Sequence, residues 1–415
     1  MPRRAGLLSP HTPKKADLPF QYLIKENNPQ AQGFINMKSK IDLQRQNTNN
    51  PLYVGWIGRD NLGDEALMEA FCELFPSMKP FPNTSTFLTR IALLAGKLGW
   101  KQLKPAFQNR HIKSVLHRFP QSDVFLGGGT LIGSKQCLPL LQQSIKEKRN
   151  VYTFGCGVMD MQFWAGHNDY PVDPAEYLQK WKDVLQKCRN VSVRGFQSQR
   201  LLQSLGISCE VTGDPAIHFA CKDNVALPKK KILGINWGFA HKILWGNDEM
   251  TVGQVLRDAV NRLISQGWNI KVFSIFIKDT TYCRDWIDSL DQPAHAELCV
   301  EYKNPRRFIK LVQQCDVFVG MKLHATILAF IAQVPSIMLE YRPKCADFME
   351  TMGALSRNIR CDRLDSTDLI ALIEQTFSNQ EIIRKEQKEV SNHYANISLK
   401  YFKRIQAEMG YDCLI

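Results

Sequence analysis

Lys322 and His324 stand two residues apart, between the apolar runs Asp316-Val-Phe-Val-Gly320 and Ala325-Thr-Ile-Leu-Ala-Phe330. The pattern reads as strand, tight turn, helix. A cation and a histidine therefore sit at the C-terminal edge of a strand, where open α/β sheets bind ligands. Histidine titrates near neutrality, which suits it to proton transfer. A second basic cluster, Tyr341, Arg342 and Lys344, follows the next apolar run, Val334-Pro-Ser-Ile-Met-Leu339. The two clusters together suit an anionic ligand and a proton transfer. A lone histidine at a helix start is most often structural; the nearby lysine and the strand end weigh toward catalysis.

Other strand ends carry similar signals. Gly58-Arg-Asp-Asn61-Leu-Gly-Asp64-Glu65 joins a first strand to a first helix. Its glycines permit positive φ, and the helix start offers N–H groups to an anion. The Gly-x-Gly-x-x-Gly spacing of dinucleotide sites is absent. Asn61 could bond sugar hydroxyls. Asp64 fits a helix-stabilising carboxylate and a substrate contact equally well. Gly127-Gly128-Gly129-Thr130 ends another apolar run and is expected to lead into a helix. Three glycines leave a bare backbone against which a ligand can lie. Arg194 ends Val191-Ser-Val193 and can grip a carboxylate or phosphate with two prongs. Asp214, in Gly213-Asp-Pro-Ala216, reads as structural support.

These turns need strands and helices in alternation. Expected strands are Leu52–Ile57, Asp123–Leu126, Val151–Phe154, Val191–Val193, Ile232–Asn236, Ile270–Ile275, Ala296–Val300 and Val317–Val319. Helices are expected at Asp64–Phe75, from Pro174, and at Phe196–Leu205, Val252–Gln266, Pro305–Gln314 and Thr367–Glu408. Regular alternation implies parallel sheets covered on both faces. The fold class is α/β, with two Rossmann-like domains and a cleft between them. Residues 1–50 read as a disordered or loosely attached extension. The first domain is expected at 51–225 and the second at 226–366, with a boundary in the polar stretch Lys222–Lys231. A helical segment, 367–415, completes the chain.

The 415 residues are 44% hydrophobic and carry a net charge of +13, as suits a soluble globular protein. The basic residues are spread along the chain, and no nucleic-acid-binding motif is visible. Nucleic acid is therefore not an expected partner; weak contact with an anionic membrane surface is. The twelve cysteines form no Cys-x-x-Cys pair and, with histidine, no zinc spacing, so no metal site is expected. The N-terminus lacks a secretory signal pattern and no run is long enough to span a bilayer, which points to the cytoplasm, at most peripheral to the inner face of the membrane.

In order and spacing the motifs resemble the polysaccharide pyruvyl transferase family. The resemblance rests on Asn61-Leu-Gly-Asp-Glu-Ala66, Gly127-Gly-Gly129, Gly155-Cys-Gly157, Val193-Arg194 with Ser198, Gly213-Asp-Pro-Ala216, Met321-Lys-Leu-His324 and Tyr341-Arg-Pro-Lys344 with Phe348, across residues 53 to 353. It implies a GT-B-like fold. It also implies transfer of the enolpyruvyl unit of phosphoenolpyruvate to two hydroxyls of a sugar in a cell-surface or exopolysaccharide precursor, without a further cofactor. Arg194 and the segment Lys322, Leu323, His324 would surround phosphoenolpyruvate, with His324 as acid/base and Lys344 as a further cation. The acceptor would be a glycan or lipid-linked sugar, and a homo-oligomer is compatible with the resemblance. The family usually has Arg at the place of Lys322 and Asp at the place of Gly195. Two other readings stand beside it. One is a nucleotide-sugar glycosyltransferase, with Glu340 as ribose carboxylate. The other is a non-catalytic sugar-binding relative.

Overall fold

The computed structural model describes residues 50–58, 60–81, 100–165, 167, 174–223, 230–246 and 248–410. Residues 48–415 form one compact unit. The expected extension, Asn50 apart, and the middle of the expected boundary, 224–229, lie outside the described residues.

The first half runs β1 (Leu52–Val54), α1 (Leu62–Leu74), β2 (Lys79–Pro80), α2 (Trp100–Arg118), β3 (Val124–Gly127), β4 (Thr130–Ile132), α3 (Leu138–Lys146), β5 (Val151–Phe154), β6 (Gly157–Val158), α4 (Met161–Ala165), α5 (Pro174–Leu185), β7 (Ser192–Val193), α6 (Phe196–Ser204) and β8 (Glu210–Val211). Its sheet has the order β2-β1-β3-β5, all parallel. Single bridges tie β5 and the segment after it to the β7 region. The inner strands β1, β3 and β5 are short, buried and largely apolar because both faces are covered, whereas the edge strand β2 is exposed. Alternate residues of β3 show this. Val124 and Leu126 pack toward Leu116 and Trp181, while Phe125 faces Phe75 and Tyr152 on the other side.

The second half runs β9 (Ile232–Asn236), α7 (Glu249–Ser265), β10 (Asn269–Ser274), α8 (Thr280–Asp288), β11 (Ala296–Val300), α9 (Pro305–Val312), β12 (Val317–Gly320), α10 (Leu323–Ile331), β13 (Ser336–Glu340), α11 (Pro343–Thr351), β14 (Asn358–Arg360), α12 (Ser366–Ser378) and α13 (Gln380–Glu408). The sheet order β11-β10-β9-β12-β13-β14 is fully parallel, and the direction of winding reverses between β9 and β12. That is the Rossmann arrangement, and the reversal opens a crevice at the strand ends. Helix starts follow local rules. Asp248 caps α7 through Met250 N and Thr251 N, Asn304 caps α9, and Pro305 and Pro343 open their helices.

The last helix leaves the second half and finishes on the first. Phe402 packs among Phe71, Phe125 and Phe154, and Tyr401 Oη donates to Thr153 O at 3.0 Å. Two expectations about elements need correction. The strand after Pro51 stops at Val54, short of Ile57. The glycine turn leads into β4 and not a helix. Gly128 and Gly129 both have positive φ (66° and 67°), which turns the chain so that Thr130 pairs with Gly157. Among the described residues no helix is long and apolar enough to cross a membrane.

Candidate active site

Two helix starts meet where the halves face each other. Asn61 caps α1 by accepting from Gly63 N at 3.1 Å. Leu62 N donates to Ile275 O (2.9 Å) and Ile277 N to Asp60 O (3.1 Å), which stitches this turn to the loop after β10. The first turn of α1 lies against His324, at the start of α10. A Cβ on Gly63 would stand 2.3 Å from His324 Nδ1, so only glycine lets the two meet. The dipoles of the two helix starts favour an anion between them.

Three buried groups converge beside this junction. The Arg194 side chain is 1% exposed, yet none of its three guanidinium nitrogens makes a hydrogen bond. Its nearest partners are Asp214 Oδ2 at 3.8 Å and Asp347 Oδ2 at 3.7 Å. Asp214 Oδ2 also stands 3.6 Å from His324 Nε2, and neither atom makes a hydrogen bond. Asp214 Oδ1 is committed to Ala216 N (3.0 Å). Burial pushes the Asp214 carboxyl upward, but His324 and then Arg194 outweigh it and hold the group below the usual carboxylate range. A buried guanidinium with unused donors is costly unless something accepts from it. Glycine again makes the room: a Cβ on Gly157 would lie 2.5 Å from Arg194 Nη2 and 3.1 Å from Thr130 Oγ1.

Arg194 and His324 open onto a cleft of about 440 Å³. Asn61, Asp64, Gly129, Arg194, Leu323, His324 and Lys344 all line it, so the fold brings together most of the residues singled out in the sequence. Lys344 occupies the first turn of α11, where burial first, and then Arg342, pull its ammonium down to about 7. Its Nζ sits 4.9 Å from the centre of the Tyr341 ring.

Three of the expected site residues are placed elsewhere. Lys322 is not a cleft wall. Its Nζ donates to Phe239 O (2.5 Å) and stands 3.5 Å from the buried Asp279, while its backbone N–H donates to Asn236 Oδ1 (2.9 Å). A buried carboxylate captures the ammonium, so Lys322 braces the turn after β12. Gly127 faces inward: a Cβ there would meet Phe71 and Tyr53, and Tyr53 Oη donates to its carbonyl. Gly128 backs onto Leu67. Of the three glycines, Gly129 reaches the cleft.

The cleft also holds residues given no site role in the sequence. Arg342 was named there only as part of the basic cluster, and it lines the cleft. Its guanidinium donates to Ile243 O (2.8 Å) and lies 4.9 Å from the centre of the Tyr341 ring and 5.4 Å from that of Trp164. Thr130 directly follows the glycine turn. Trp56, Asp160, Trp164 and Phe276 gave no local signal. Glu340 is fully engaged, with Trp245 Nε1 donating to Oε1 (2.8 Å) and Asn358 Nδ2 to Oε2 (2.7 Å).

A family model described as polysaccharide pyruvyl transferase matches residues 61–343. Solved structures of low identity share the fold. A Listeria monocytogenes protein assigned as a UDP-N-acetylglucosamine 2-epimerase aligns with TM-score 0.58 at 11% identity, covering 89% of this chain and 100% of its own. The S. aureus MnaA–UDP co-structure gives 0.57 at 12%, covering 88% and 98%. A UDP-glucosyltransferase from Polygonum tinctorium gives 0.54 at 11%, covering 88% and 99%. At these identities the likeness establishes the GT-B arrangement of two Rossmann-like domains.

Proposed function

The chain belongs to the polysaccharide pyruvyl transferase family, and on that footing we propose that it moves the enolpyruvyl unit of phosphoenolpyruvate onto two hydroxyls of a sugar in a cell-surface or exopolysaccharide precursor. The product is a pyruvate ketal, and phosphate is released. The observation that carries the reading is Arg194, a buried guanidinium with unused donors at the wall of a cleft. A donor with both a carboxylate and a phosphate answers those N–H groups. Lys344 and Arg342 supply further positive charge on the facing half, and the starts of α1 and α10 add their dipoles.

The chemistry balances with the groups present. A proton from His324 adds to the methylene carbon and leaves an oxocarbenium-like centre at the adjacent carbon. One sugar hydroxyl forms a C–O bond there. The C–O bond to phosphate then breaks with its electron pair, and a neighbouring hydroxyl of the same sugar closes the ring. Of the two hydroxyl protons, one restores the acid and the other leaves with phosphate. Asp214 Oδ2, 3.6 Å from His324 Nε2, orients the imidazole. Asn61 and Asp64 bind acceptor hydroxyls. Trp56, Trp164 and Phe276 offer apolar ring faces to the sugar.

A lipid-linked acceptor would bring the protein to the cytoplasmic face of an anionic membrane. Between Pro76 and Ser122 the chain has eight Lys or Arg and no Asp or Glu. In the described part of this stretch, Arg110, Lys113 and Arg118 are exposed while Ile112, Val115 and Leu116 are buried. Helical spacing places the three cations on one outward face of α2.

Nucleotide-sugar transfer is the second reading, since the S. aureus neighbour holds UDP. It calls for a free ribose carboxylate, and both oxygens of Glu340 are already taken. Thermal shift separates the two, because a ligand bound only to the folded state raises Tm. We expect a shift with phosphoenolpyruvate that disappears in Arg194→Ala, followed by phosphate release when an acceptor is added. A shift with nucleotide sugars alone would overturn the donor assignment.

A further inference from the structure

We infer that Asp347 is a positioning residue: from the second half of the molecule it supplies the carboxylate that caps the helix after Arg194 and fixes the arginine's guanidinium. The inference rests on the reading of Arg194 as the anion-binding group. Helix α6 starts immediately after Arg194, and its N-cap is Gly195, which has no side chain to offer. Its free N–H groups are nonetheless satisfied from across the cleft. Gln197 N and Ser198 N donate to Asp347 Oδ1 at 2.9 and 3.2 Å, and Phe196 N donates to Thr351 Oγ1 at 3.1 Å. Ser198 Oγ donates to Asp347 Oδ2 at 2.7 Å, the same oxygen that stands 3.7 Å from Arg194 Nη2. One turn further on, Arg200 and Glu350 pair through both prongs at 2.8 and 2.7 Å.

Gly195 is a condition of this arrangement. Its φ of −152° is open to any residue, but a Cβ there would lie 2.3 Å from Asp347 Oδ1 and 2.5 Å from Thr351 Oγ1. A side chain at 195 and a carboxylate at 347 therefore compete for one space. Asp347 is 2% exposed and its oxygens are occupied, so it acts on the ligand through Arg194 and not by contact. Lys344 precedes it by three residues on α11, which puts the cleft's lysine and the cap on one helix face. An anion held by both Arg194 and Lys344 is thus held in a frame that Asp347 closes.

The test measures dissociation constants for phosphoenolpyruvate and for inorganic phosphate by calorimetry, well below Tm. Asp347→Asn keeps the shape but removes the charge facing Arg194, and both ligands should weaken by about tenfold or more. Asp347→Ala with Thr351→Ala should weaken them further. Adding Gly195→Asp to that pair provides a carboxylate from the adjacent residue and should restore most of the affinity. Gly195→Asp alone should not bind, because two carboxylates would overlap. A structural cap alone would lower Tm in these variants and leave affinity unmoved, which would overturn the inference. Failure of the triple variant to recover affinity while Tm recovers would overturn it too. Phosphate binding without phosphoenolpyruvate binding in the parent would remove the donor assignment, with Asp347 still judged on phosphate. Binding of neither ligand by the parent would overturn both.

Discussion

At the scale of single residues, the site depends on glycines that admit close contact and on charges that burial has made responsive. Gly63 has the first role. Alanine there suits a helix better by about 1 kcal/mol, but its methyl would occupy the place of the His324 ring. Gly63→Ala is expected to lose roughly 100-fold or more in kcat, the scale of a misplaced general acid, and to lower Tm as well, because its methyl would also lie 2.7 Å from His324 Cβ. Phosphate-release assays with parallel melting curves check this; unchanged kcat would remove His324 from its proposed role. Lys344 has the second role. With its ammonium pulled down to about 7, the charge is lost in the free protein as pH rises through that value. Anion affinity should be flat below pH 7 and fall above it, with proton uptake on binding. Calorimetry in buffers of different ionisation heat should show that uptake at pH 8, and Lys344→Met should abolish it. The stability term runs the other way. Between about 7 and the ordinary 10.5 the unfolded chain holds more protons, so without ligand this lysine's destabilising effect is full below pH 7 and fades as pH rises. Lys322 was legible as a cation but not as one already claimed. Asp279 lies 43 residues away in sequence, and only folding brings it to 3.5 Å.

Among the elements, strands and helix starts were the legible part. Apolar runs ending in glycine or a polar cluster marked the strand ends at Gly127, Asn236 and Gly320, because strands covered on both faces leave no periodic polar signal to confuse them. The glycine turn was misread because its outcome depends on a distant partner: Thr130 pairs with Gly157. The end of α13 is a similar case. Its sequence is rich in charge, yet Tyr401, Phe402 and Ile405 are buried on the first half's sheet. Phe402→Ala is expected to cost about 3–5 kcal/mol, as for other large buried aromatics. Denaturant unfolding should show that loss, and a cost below 1 kcal/mol would mean that the helix end contributes little to the first half.

For the whole molecule, the two halves meet through stitched loops, a shared final helix and the Asp347 cap, so the cleft is part of one packed unit. The charge distribution also acts at this scale. The parent should co-sediment with vesicles containing anionic lipid, less so as salt rises, and not with purely zwitterionic vesicles. Arg110→Gln, Lys113→Gln and Arg118→Gln together should remove most of that binding and leave phosphoenolpyruvate affinity intact. Equal binding by parent and variant would exclude this face of α2. By itself the sequence determined the two-sheet α/β architecture, the strand ends that line the cleft and the family to which the chain belongs. Those depend on local periodicity, on turn residues and on motifs in a fixed order. Only the tertiary structure decided which cations line the cleft, which glycine reaches it, and that a carboxylate beside Arg194 comes from residue 347. Such assignments depend on contacts between segments from 27 to 153 residues apart, and no local pattern encodes the partner.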